Sequence, residues 1–403
     1  MVHKTAVSFL VAGAAVITLS GLANQDAGAG RPREPGAADA GSSIVDCTEA
    51  SLVAAVAKAN ANDGGLITFD CHDVTIPVRS WMGRLQNRVV VDGENRNITL
   101  AFTADFSGCL PGDNGIKGRP IARLQGEFNV IRNLTLRHFL ESVQVAGPNN
   151  LIESNRFLGH LCSDDAVSTV ARMALNTVVR KNYFENYRDK AFQFNYGSGV
   201  IEENVFVDTA QPFRAAYDNS GGGPIHIRKN VFRSSDQQNR CNGPHINGRA
   251  LVYFDDNRLE CRRGLRVGGH TEIVVRRNSF LANGRVGLEI RGNAVVSMSE
   301  NVLVGNGLSP GSSPAGGVVI LESARADLGG GALPIGGATV VSRGGNRIQG
   351  NGAFDVRNST GTPVSATRNC WDHSSPADVR ALDTEGAVEV EPLGPCSHEP
   401  NHQ

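Results

Sequence analysis

Short runs of three to five residues in which apolar and polar side chains alternate recur along most of the chain. Apart from one stretch near each end, the spacing of an amphipathic helix is missing. Many runs lead into one device: apolar residues, a polar residue, Asn, one further residue, then Phe, Leu or Ile. It reads IRNLTL at Asn133, ESNRF at Asn155, VVRKNYF at Asn182, IEENVF at Asn204 and IRKNVF at Asn230. It continues as FDDNRL at Asn257, VVRRNSF at Asn278, MSENVL at Asn301, RGGNRI at Asn346 and TRNCW at Asn369. Successive Asn residues are roughly 21–27 residues apart, the period of a solenoid coil. The exception is the step from Asn301 to Asn346, about twice as long, which is taken as two coils with a degraded one near 310–335. A repeat of this length made of short strands predicts an all-β fold, a right-handed parallel β-helix of about ten coils. A leucine-rich repeat would need an L-x-x-L-x-L register, and a propeller a longer period. The recurrent Asn is expected at a corner, where it tolerates the left-handed conformation, with its side chains stacked in a ladder. Flanking alternation around Val178 and Arg180 turns apolar groups inward and charges outward.

An exposed end of such a stack needs a cap. Residues 48–60 (TEASLVAAVAKAN) predict a short helix over the first coil. Ser375, Pro376 and the apolar residues after them predict a second at the other end. Residues 1–23 have the basic start, apolar centre and small residues of a signal peptide cleaved near Ala23, and 24–43 form a Gly/Ala/Pro linker. The remainder, 44–398, is then a single domain, exported to the extracellular space or periplasm, without stable membrane insertion and monomeric.

Composition agrees with many turns: 47 glycines and 6% aromatic residues suit the corners of a coil. Lys and Arg number 39 against 40 Asp and Glu, so the basic surplus of a nucleic-acid binder is missing. Eight cysteines and no C-x-x-C pair suggest disulfides. Cysteines one coil apart stack, which predicts Cys47–Cys71, Cys241–Cys261 and Cys370–Cys396, leaving Cys109–Cys162 by elimination.

Aligning the coils exposes candidate chemistry. The strand before the device reads LESVQV, DDAVST, DKAFQF and PFRAAYD in successive coils, with RGLRV and RVGLEI after them. These segments offer Glu141, Asp164 with Asp165, Asp189 with Lys190, and Arg214. By number, Asp165 to Lys190 and Lys190 to Arg214 are one coil length each. The expectation is therefore a stack on one outer face, with neighbours about 4.8 Å apart. Clustered carboxylates bind a hard cation such as Ca²⁺. A cation with Lys and Arg suits an acidic polysaccharide, because neutralising a uronate carboxylate acidifies the adjacent C–H, from which Lys190 or Arg214 can take a proton. Ordinary solubilising ion pairs remain the alternative. Against 33 arginines the chain has only six lysines, so a Lys here is not the default basic residue. Asp255 and Asp256 read as a solvated pair, His226 and His245 as structural, and Trp371 as packing for the final coil.

The segments DDAVST, RDKAFQFNYGSGVIEENVFVDT and QPFRAAYD resemble the family 3 pectate lyases over about residues 129–235. The resemblance implies that Asp164 and Asp165 bind calcium, with Asp189 or Glu141 assisting. It implies that Lys190 is a candidate base and that Arg214 contacts the substrate carboxylate, with Gln211 and Asp189 also at the substrate. Gln193 and Asn195 complete the motif as structural residues. The implied activity is calcium-assisted β-elimination on a polyuronate, pectate for preference. Gln211 stands where the family has a second Lys, and Arg214-Ala-Ala-Tyr replaces the family's Arg-Ser-Cys-Gly. A non-catalytic polysaccharide-binding β-helix and a β-helix glycosidase are the competing classes. A glycosidase needs two carboxylates flanking the bond, and the contiguous acids beside Lys and Arg favour elimination instead.

Overall fold

The computed structural model describes residues 41–103, 120–160, 162–215, 223–235, 241–309, 311 and 315–396. The expected signal peptide, most of the expected linker and Cys109 lie outside them. Three parallel sheets of 14, 11 and 12 strands run the length of the molecule, and each coil contributes a strand to each in turn. The first sheet runs from Ser43–Val45 to Val388–Glu389, the second from Thr75–Val78 to Arg347–Gln349, and the third from Gly83–Leu85 to Thr384–Glu385. This is a right-handed parallel β-helix of about thirteen coils, more than the ten expected. The Asn count misses coils at both ends, where strands stack without that residue.

The ladder itself is real, with two changes of detail. Asn155, Asn182, Asn204, Asn230, Asn257, Asn278, Asn301, Asn346 and Asn369 are all buried, and each carboxamide oxygen after the first accepts from the Asn one coil earlier. The left-handed residue is the one before the Asn: Ser154, Lys181, Glu203, Lys229, Asp256, Arg277, Glu300 and Arg368 all have φ between 54° and 60°. Asn133 occupies that preceding position, at φ 59°, so it is a corner residue, and Leu134 N–H donates to Asn155 in its place. The long step from Asn301 to Asn346 is one coil, because Asn301 donates directly to Asn346 at 2.9 Å. The additional length is an antiparallel hairpin, Ala332–Ile335 with Ala338–Val341, packed outside the first sheet on Leu251, Tyr253, Val274 and Val295.

Inside, like side chains sit above like. Phe157, Phe184, Phe206 and Phe232 stack with ring centroids 4.8, 4.7 and 4.9 Å apart, one strand spacing per coil. Where coils close tightly, glycine is required: at Gly269, φ 65°, a Cβ would lie 2.5 Å from the Gly248 nitrogen.

Both caps form. The helix Glu49–Ala61 starts at Thr48, whose side chain accepts from Ser51 N–H, and buries Leu52, Ala55, Val56 and Ala59 over the first coil. Ser375 caps the short helical turn Pro376–Asp378, which continues to Asp383 with Val379 buried, and Trp371 is buried beneath the final coil. The three period-based disulfides are formed, with Cα–Cα separations of 6.3, 4.9 and 4.9 Å, an arrangement suited to an oxidising, extracellular type of environment. Cys162 is also disulfide-bonded, but the expected pairing with Cys109 falls outside the described residues. No described helix is long and apolar enough to cross a membrane.

Candidate functional site

Three adjacent strands of the third sheet carry the motif: Asp165–Thr169, Lys190–Phe194 and Gln211–Ala215. Their register pairs Asp165 with Lys190, and Lys190 with Gln211 rather than Arg214. Arg214 instead pairs with Gln193, three positions further along the strand, about 10 Å from the Lys190 level. The expected single stack of Asp165, Lys190 and Arg214 is thus two stacks. The reason is coil length: this coil is shorter than the one before it, so the partner of Lys190 arrives three positions ahead of Arg214.

Lys190 is also buried, not outward. It opens its strand at the corner, and its side chain is 7% exposed. Its Nζ lies 3.1 Å from Asp164 Oδ1 and 3.3 Å from Asp165 Oδ1, and it donates to Asp189 Oδ2. Glu141 reaches toward the same place, its Oε1 accepting from Ser168 Oγ at 2.6 Å and its Oε2 from Gln144 at 2.9 Å. Burial opposes the ammonium charge, yet the carboxylates of Asp165, Asp189 and Asp164 outweigh it and raise the Lys190 pKa. Burial pushes Asp165 up to about 8 against the pull of Lys190, with Asp164 and Glu141 adding to the rise. Asp164 and Glu141 are likewise raised, first of all by burial. The cluster therefore holds protons tightly. Beneath it the buried Tyr187 hydroxyl lies 3.3 Å from Ser142 Oγ, and a groove of about 640 Å³ lined by Tyr187, Arg188, Asp208 and Ala210 opens alongside.

Beside the cluster runs an outward row in continuous register: Gln144, Ser168, Gln193, Arg214, His245, Arg266 and Glu289. Glu289, almost wholly buried, faces Arg266 at 3.1 Å and Arg263 at 3.4 Å. Arg214 has no such partner among the described residues, and its Nε is shielded from water without a hydrogen bond. His245 lies between two arginines in register. Burial, then Arg266, Arg214 and Arg263, hold its pKa down to about 4, so it is neutral near pH 7. Numbering hides this row, because the step from Arg214 to His245 is long while those from Gln193 to Arg214 and from His245 to Arg266 are short. The segment RGLRV, which carries Arg263 and Arg266, was the visible signal.

Calcium needs several oxygens converging on one point. Among the described residues, Asp164, Asp165 and Asp189 do not form a trio with oxygens within 4.8 Å of one another. They surround the Lys190 ammonium instead. As arranged, these donors fit an ammonium and not a calcium ion. Gln211 faces Lys190 with its Oε1 buried and without a partner. Gln193 donates to Asn195 Oδ1, and Thr169 Oγ1 accepts from the Asn195 N–H, which gives Asn195 a structural place at the strand end. Asp255 and Asp256 pair with Arg276 and Arg277; Asp256 is the solvated charge expected, whereas Asp255 is buried. His226 stacks on Tyr253.

No protein-family model and no curated protein matches the chain. Among solved structures it is similar to the Dettilon tailspike protein, with a TM-score of 0.53 and 9% identity over 85% of this chain. The chain spans 64% of that tailspike's length. The A-modules of the Azotobacter vinelandii mannuronan C-5 epimerases AlgE4 and AlgE6 align over 88% and 85% of this chain and 98% and 95% of theirs. Their identities are 15% and 14%, and their TM-scores 0.44 and 0.37. The tailspike likeness extends to the architecture alone: this chain has a parallel β-helix fold.

Proposed function

We propose that the protein is an exported polysaccharide lyase that binds a polyuronate, pectate for preference, along the third sheet and cleaves it by β-elimination. The observation that carries this reading is the unpaired Arg214, in register with His245 and Arg266 and adjacent to the Lys190 carboxylate cluster. The cationic side chains of this row, Arg214 and Arg266, are two coils or roughly 9.6 Å apart with the neutral His245 between them, a spacing that suits carboxylates on alternate sugars of an extended chain. Arg214 contacts the uronate carboxylate at the reacting sugar, lowering the acidity barrier at C5. Of the two bases expected, Lys190 is held protonated by its carboxylate neighbours and a guanidinium keeps its proton more firmly still, so Arg214 is assigned the uronate carboxylate and proton removal is assigned to neither. Lys190 neutralises the acidic shell; buried among three carboxylates and about 10 Å along the strand from Arg214, it is not assigned a contact with the reacting sugar. Calcium is not assigned to Asp164, Asp165 and Asp189, and no step is routed through it.

The test is incubation with polygalacturonate, and separately with other polyuronates, with and without Ca²⁺, following ultraviolet absorbance of the unsaturated product. Absorbance that Arg214→Ala abolishes supports elimination at this site. New reducing ends without absorbance indicate hydrolysis. Binding without either product makes the protein a polysaccharide-binding module, a reading favoured by the firm grip of three carboxylates on Lys190.

A further inference from the structure

The last coils hold a second acidic cluster, six strands along the third sheet from Lys190, roughly 29 Å away. Asp355 leads into the strand Val356–Asn358, Asp372 follows the final coil's Trp371, and Asp383 ends the capping helix. One carboxylate oxygen from each lies within 4.8 Å of the others. Asp355 and Asp383 are only 3% and 5% exposed. On both, Oδ1 is occupied: Asp355 Oδ1 accepts from Asn351 Nδ2 at 2.7 Å, and Asp383 Oδ1 lies 2.8 Å from His373 Nδ1. On both, Oδ2 is buried without a hydrogen-bond partner. Two orphaned buried carboxylate oxygens beside a third carboxylate are a costly arrangement unless a cation joins them. No Lys or Arg does so among the described residues; the one ion pair is His373 with Asp383. The contrast with Lys190, which fills the same need in its own cluster, is direct.

We infer that Asp355, Asp372 and Asp383 bind a hard divalent cation, Ca²⁺, which pins the C-terminal cap to the last coils. The donors are all oxygen, which selects Ca²⁺ over softer metals. They come from a strand entrance, a loop and the end of the cap. Asp355 also terminates a second Asn ladder, Asn283 to Asn306 to Asn351, so the ion joins the cap to a rigid element.

The experiment uses the full chain after chelator treatment, with Tb³⁺ as probe and Ca²⁺ as competitor. Trp371 adjoins Asp372 in sequence, whereas the only other tryptophan, Trp81, lies at the opposite end of the stack, so sensitised Tb³⁺ emission reports this end. The expected result is emission that Ca²⁺ displaces, and a Ca²⁺-dependent rise in Tm. Asp372→Asn, at an exposed position that leaves folding intact, should weaken both Tb³⁺ and Ca²⁺ binding about ten-fold or more and remove the Tm shift. Asp164→Asn should leave both unchanged. No Ca²⁺-dependent shift in the wild type, binding indifferent to Asp372→Asn, or binding lost in Asp164→Asn instead would overturn the assignment. Polyuronate turnover plays no part in these readouts.

Discussion

Lys190 shows how one side chain's direction changes a mechanism. Placed outward, it could be removed without consequence for the coil; buried among Asp164, Asp165 and Asp189, it cannot. Lys190→Ala strands three carboxylates in a shielded place and should destabilise the protein by about 3–5 kcal/mol in chemical denaturation. Arg214→Ala, which breaks no ion pair among the described residues, should abolish turnover while leaving the unfolding midpoint nearly unchanged. The two variants thus separate a stabilising cation from the proposed substrate contact. Titration gives a second check. Asp165, raised to about 8, stays protonated in the fold over a range where the unfolded carboxyl, near 3.8, is ionised, so its contribution lowers stability as pH rises from about 4 to about 8. His245, depressed to about 4 from 6.5, acts oppositely, and stability falls as pH drops from about 6.5 to about 4. Between about 6.5 and 8 only the Asp165 effect remains of the two. Asp165→Asn should flatten the unfolding free energy there, and an unchanged slope would remove Asp165 as its source.

The coil is the element on which the fold depends, and its corner separates two jobs that a motif search merges. In Lys229-Asn230 the first residue takes the left-handed conformation, at φ 56°, and the second carries the ladder. Asn230 donates to Asn257, Ile201 and Arg228 oxygens and accepts from Asn204, all in a buried position. Asn230→Gly should therefore cost roughly 3 kcal/mol or more through stranded polar groups. Asn133→Gly should cost only about 1 kcal/mol, the hydrogen bond its Nδ2 donates to Asp92 Oδ1 at 2.8 Å, because at a left-handed corner glycine is at ease. Comparable losses for the two would mean that the ladder contributes little. The motif was legible because the same residue types serve every corner. The one-residue offset at Asn133 was not, since both positions accept Asn for different physical reasons. Likewise the length of the step from Asn301 to Asn346 cannot say whether it holds two coils or one coil with a hairpin.

For the molecule as a whole, stability lies in the continuity of the stack and the closure of its ends. Three disulfides bridge loops of 20 to 26 residues, each cross-linking about one coil. Replacing Cys370 and Cys396 by Ala should lower stability by about 3 kcal/mol on the chain-entropy account. Hydrogen exchange should then speed up over 355–396 before it does so in the central coils, and uniform acceleration would show that the cap is not a separate opening unit. The distribution of charge is also a property of the whole. A near-neutral chain carries an acidic cluster around one Lys, an Arg-rich row beside it, and, in its last coils, an acidic cluster without a Lys or Arg partner among the described residues.

The period, the three-sheet coil, the capping helices and the three described disulfides follow from local rules. Strand alternation, corner chemistry and stacking at one coil spacing act over a few residues or one repeat, and the chain repeats them often. Register and side-chain direction at the corners do not follow from such rules. Coil lengths vary around the site, short from Gln193 to Arg214 and long from Arg214 to His245. Counting therefore puts Arg214 on Lys190 when hydrogen bonding puts it on Gln193. A residue at a strand's first position lies outside strict alternation, so Lys190 could turn inward. Which charges meet is therefore set by how each coil seats on the last. That seating puts three carboxylates around an ammonium, leaves Arg214 without an ion-pair partner among the described residues, and joins Asp355, Asp372 and Asp383 at the far end.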